Sequence, residues 1–64
     1  MDTLQKELES RYSEIKKEIK AIYEANLHIT GWDVPELDEA KAKEMLLELM
    51  HKACDEITQQ ELQD

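Results

Sequence analysis

The apolar positions of a repeating series in the first half of the chain are Met1, Leu8, Tyr12, Ile15, Ile19, Ile22 and Ile29, and from Leu8 onward Asn26 holds the one expected place that is not apolar. From Leu8 onward the steps alternate between four and three, which is a heptad seam and not the every-second-residue pattern of a strand. The spacing predicts one long helix over about residues 2–30. Its seam covers ~120° of the surface, and Lys6, Ser10, Ser13, Lys16, Lys17 and Lys20 lie on the other side. Gly31 is expected to stop this helix as a left-handed C-cap, leaving His28 in the last turn, where a positive charge suits the dipole.

A second start signal follows at once. Asp33 and Glu36 form an Asp-x-x-Glu arrangement: the aspartate accepts from a first-turn amide and the glutamate reaches back to the cap. Trp32 and Leu37 are placed to act as a hydrophobic staple, and Pro35 is tolerated because first-turn amides have no intrahelical acceptor. A start one or two residues later also fits, since the residue before a proline resists helical angles. The turn is therefore expected at about 31–33 and the second helix from about 34 to about 60, with a frayed end from Gln59 to Asp64. Its apolar residues include Ala42, Met45, Leu46, Leu47, Leu49, Met50, Ala53, Cys54 and Ile57, an arc of ~200° centred near Leu46, Ala53 and Ile57.

Two long helices joined by a short turn run antiparallel, so the expected fold class is all-α, an antiparallel helical hairpin occupying residues 1–64 as a single domain. The hairpin is unfinished. One neighbouring helix covers about a third of another's circumference, which leaves the edges of the second helix uncovered. Self-association into a four-helix bundle dimer of hairpins, each chain giving two helices, is the economical solution. Asn26 would then fix register as a buried polar residue, or lie half solvated near the bundle's end.

Size sharpens that expectation. A chain of 7.5 kDa folded to ordinary compactness buries roughly 3,900 Å² of apolar surface, ~98 kcal/mol, against ~96 kcal/mol of conformational entropy. A second chain, a metal or a partner is expected to supply the margin. No apolar run approaches 18 residues and the first residues carry no apolar leader core, so neither a membrane span nor a signal peptide is expected. A reducing, cytoplasmic setting suits the single Cys54, which has no partner for an intrachain disulfide.

Charge divides the chain unequally. The formal net charge is −8. Residues 31–64 carry ten acids against Lys41, Lys43 and Lys52, and residues 1–30 are nearly balanced. An acidic second half repels phosphate backbones and favours a basic protein partner, although excess acid also keeps small proteins soluble. Lys6, Lys16, Lys17 and Lys20 nevertheless form a basic patch on the first helix. In a dimer they would read RNA by shape and phosphate charge, and the plainer reading is a solvated face of mixed Glu and Lys.

Candidate chemistry is sparse. Glu48 and His51 have the Glu-x-x-His spacing of carboxylate-bridged metal bundles, and Glu24 and His28 look like a second half. The helical wheel turns Glu48 away from the core centre and puts Glu24 on an outer face, so a solvated face is the plainer account. His51 and Cys54 at i and i+3 would bind zinc only with ligands from a second subunit, which leaves Glu48, His51 and Cys54 as a metal-binding alternative. One glycine rules out a Gly-rich phosphate loop, and no nucleophile–base–acid set is suggested by spacing. No cofactor is expected and no enzymatic activity. The expected function is that of a small adaptor, inhibitor or regulator that binds protein through Trp32, Met45, Leu47, Met50 and Cys54, with RNA binding or metal binding as alternatives. Tyr12 and Tyr23 read as core residues with their hydroxyls reaching solvent.

Overall fold

The computed structural model describes residues 2–63, and Met1, the first seam position, and Asp64 lie outside them. The described residues are all-helical, with α1 over Thr3–Ser10, α2 over Tyr12–Asp33 and α3 over Glu39–Leu62. There are three helices here where the heptad pattern predicts two, and the extra boundary has a local cause. The Ser10 hydroxyl donates to the Glu7 carbonyl at 2.7 Å. The Arg11 amide would otherwise bond that carbonyl, and it instead donates to the Leu8 carbonyl at 3.1 Å. A serine bonding back to its own turn competes with the ladder and tightens it to an i→i+3 step. Regular pairing resumes where the Ile15 amide donates to the Arg11 carbonyl at 3.0 Å. Arg11 keeps right-handed angles, φ −93° and ψ −4°, so the interruption is one residue long. Asp2 opens α1 by accepting from the Gln5 amide at 3.0 Å.

The turn differs from the sequence expectation in three respects. Gly31 does not end the helix, because α2 runs on to Asp33 and no glycine has positive φ. What ends it is Pro35, whose ring pushes Val34 out of the helical region to φ −129°, ψ 81°. Val34 to Leu37 then closes a turn, the Leu37 amide donating to the Val34 carbonyl at 3.1 Å with proline at its second position. Asp33 is consequently the last residue of α2 and no cap. Asp38 takes that role and accepts from the Lys41 amide at 3.3 Å. At the far end α3 is helical through Leu62.

The contact between α2 and α3 does not use the heptad seam. The half-buried residues are Tyr23, Leu27 and Gly31 on α2 and Leu37, Ala42, Leu46 and Met50 on the loop and α3. Each helix therefore offers a row at four-residue spacing. Here contact ends near Met50, and everything from His51 onward is exposed. Leu46 lies at the centre of the contact as expected, whereas Ala53 and Ile57 take no part. No described residue is fully buried. The radius of gyration is 15.5 Å, against ~11 Å for a compact chain of this length.

Candidate interaction surfaces

On α1 and α2 the whole seam is uncovered. Leu8, Tyr12, Ile15, Ile19, Ile22 and Ile29 are all exposed, and even the most covered of them, Ile15, keeps 38% of its surface accessible. On a helix wheel at 100° per residue the row Tyr23–Leu27–Gly31 lies roughly a third of a turn around from that seam. The helix α3 therefore sits beside the seam and leaves it open. Asn26, at a seam position, is exposed and donates from Nδ2 to the Ile22 carbonyl at 2.8 Å. Thr30 donates to the Asn26 carbonyl at 2.9 Å, so both polar side chains are satisfied within their own helix.

Two open grooves flank the turn. One, of about 400 Å³, is lined by Val34, Leu37, Ala42, Met45, Leu46 and Leu49, with Thr30, Asp38 and Lys41 at its margin. It gathers Met45 with an apolar set that the helical wheel of α3 alone does not assemble, because Val34 and Leu37 arrive from the loop. The other, of about 540 Å³, has Leu27, Gly31, Pro35 and Leu37 as its floor and Glu24, His28, Trp32 and Glu39 around it. The Trp32 side chain is 76% exposed, so it is no staple on Leu37. Its ring instead lies 5.2 Å from that of His28, tilted by 52°, one helical turn away. With α2 ending at Asp33, His28 is more than a turn from the C-terminus and its partner is the indole, not the helix end.

Apart from Glu24, the remaining candidates lie outside the grooves. Leu47 and Cys54 are exposed and line neither groove, whereas Met50 is half-buried in the α2–α3 contact. Leu47, Met50 and Cys54 follow one another at i, i+3 and i+7 along α3, while Trp32 and Met45 each border a groove. Tyr12 is 61% exposed, and Tyr23 alone of the two tyrosines meets the packing expected of it. Lys6 on α1 and Lys16, Lys17 and Lys20 on α2 are all exposed, with Glu14 and Glu18 interleaved. Glu48, His51 and Cys54 are exposed on α3, and among the described residues no three His, Cys, Asp or Glu side chains converge as ligands would. Glu24 is exposed and borders the larger groove.

Leu27 and Gly31 are the contact residues that the heptad reading passes over. Their signal is present in the chain as the four-step series Tyr23, Leu27, Gly31, lying beside the stronger seam. Among the described residues no helix is long and apolar enough to cross a membrane. Comparison with known proteins finds no family model, no curated protein and no solved structure that matches the chain.

Proposed function

We propose that this chain is a non-enzymatic protein-interaction module, of the adaptor, inhibitor or regulator kind, that completes its fold by self-association into a four-helix bundle. One observation carries the reading: the chain exposes 6030 Å², whereas a compact protein of its mass exposes ~4,250 Å². The difference, ~1,800 Å² per chain, exceeds the ~1,000 Å² per partner at which obligate dimers begin. That surplus includes Leu8, Ile15, Ile19 and Ile22 on one side and Met45, Leu49 and Ile57 on the other. The apolar part of that surplus is what another chain would remove from water. The acidic α3 then remains as an outer surface suited to a basic protein partner.

The test is solution mass by light scattering over a hundredfold range of concentration, with melting followed by circular dichroism at each point. The reading expects a dimer mass and a melting temperature that climbs with concentration, because association stabilises the folded chain by mass action. A folded monomer whose melting temperature is indifferent to concentration overturns it.

A further inference from the structure

We propose that a second copy of this chain docks on the exposed α1–α2 seam in antiparallel orientation, centred between Ser13 and Glu14, with Glu9 facing the partner's Lys16 and Arg11 facing the partner's Glu18. The proposal deepens the self-association reading and rests on it.

The seam assigns heptad positions. Gln5, Tyr12, Ile19 and Asn26 fall at a, and Leu8, Ile15, Ile22 and Ile29 at d. Glu9 and Lys16, the latter at the edge of the lysine face nearest the seam, are then neighbours on one flank, position e, and Arg11 and Glu18 on the other, position g. All four are exposed, and among the described residues none is in an ion pair; Glu9 accepts only a hydrogen bond from Gln5 Nε2 at 3.1 Å. The flanks carry few other charges, since Tyr23 and Thr30 continue the first and Leu4 and Ala25 the second. Four charges therefore decide between the arrangements.

In a parallel pair each g residue meets the e residue five positions further along the partner. Arg11 then faces the partner's Lys16, twice by symmetry, and no opposite-sign pair compensates. In an antiparallel pair e meets e and g meets g. The register that layers Tyr12 on the partner's Ile15 and Leu8 on the partner's Ile19 sets Glu9 opposite Lys16 and Arg11 opposite Glu18, again twice each. A slip of one heptad in one direction places Lys16 on Lys16 and Glu18 on Glu18. In the other direction it places Glu9 on Glu9 and Arg11 on Arg11. One register thus turns every flank charge to advantage and both neighbours turn them against association, which is how like-charge contacts exclude wrong pairings.

The fold leaves room for this partner. Packing of α3 on the Tyr23–Leu27–Gly31 row keeps it off the seam. The one-residue interruption at Arg11 retains right-handed angles, so Leu8 and Tyr12 continue one face across it. Layers from Gln5 to Ile22 span ~27 Å of helix on each chain, and Ile15 and Ile19 near the middle are the least exposed members of the seam even before a partner arrives.

The experiment uses sedimentation equilibrium of the full chain at low salt, for the wild type, Lys16→Glu, Glu9→Lys and the two changes combined. Each single change turns two attractive contacts into two repulsive ones and is expected to weaken the dimer about tenfold; the combination restores it to within about threefold. Tighter association in Lys16→Glu marks the parallel pair, whose Arg11–Lys16 clash that change relieves, and overturns the proposal. Unchanged dissociation constants in all three variants overturn it as well, and leave self-association through another surface standing. A wild-type chain that is monomeric throughout overturns both this proposal and the reading it rests on.

Discussion

Gly31 shows how a single residue can read differently in sequence and in space. A glycine after a periodic stretch suits a left-handed cap, yet here it is helical, in the last turn of α2, and half-buried against the turn. A Cβ built there meets nothing within 4 Å. Gly31→Ala is therefore expected to raise stability by about 1 kcal/mol, through helix propensity and a less flexible unfolded chain. A left-handed glycine would give the opposite sign, so thermal melting of this one variant separates the two conformations. Ser10 is the complementary case. Its hydroxyl bond to Glu7 breaks a helix that the apolar pattern carries straight through, because hydrophobic periodicity contains no information about side-chain competition for a carbonyl.

At the scale of elements, both principal helices are legible from the steps between apolar residues, and their junction is not. Two aspartates five residues apart each suit a cap, and the choice falls on Asp38 because Pro35 prevents Val34 from joining a helix. Asp38→Ala is expected to cost about 1 kcal/mol, the ordinary value of a lost N-cap. Asp33→Ala should instead be neutral or slightly stabilising, since it removes a negative charge from the C-terminal turn of α2. Urea denaturation of the two variants side by side checks the assignment, and equal losses would contradict it. The exposed Lys43–Glu39 pair, at 3.6 Å one turn into α3, adds only a few tenths of a kcal/mol by comparison.

For the whole molecule, the decisive fact is that no described side chain is fully buried. The lone chain is held by a short contact beside the turn, and its best apolar stripe faces water. Substitutions should therefore report the state of association. In a lone chain Ile19→Ala removes a half-exposed side chain and gains helix propensity, so stability changes by less than about 0.5 kcal/mol. With the seam buried against another chain the same change should cost 2 kcal/mol or more, as a large-to-small core substitution does, at about the lower end of that class. Melting Ile19→Ala beside wild type at high and at low concentration distinguishes these outcomes, with the larger loss expected at high concentration.

The chain's own pattern is enough to make it all-helical, to put a turn near Gly31–Pro35, to keep every helix too polar for a membrane, and to leave apolar surface unfinished. Local forces suffice for these, because periodicity, caps and proline act within a few residues of themselves. Which stripe of α2 meets α3 was settled only by tertiary structure. The seam from Leu8 to Ile29 and the row Tyr23–Leu27–Gly31 coexist on one helix, and the hydrophobic effect, being non-directional, does not rank them. The five-residue connection from Val34 to Asp38 does, because its turn at Pro35 sets where α3 begins and which side of α2 it can reach. The same placement joined Val34 and Leu37 to Met45, left Trp32 largely exposed, and left the heptad seam open.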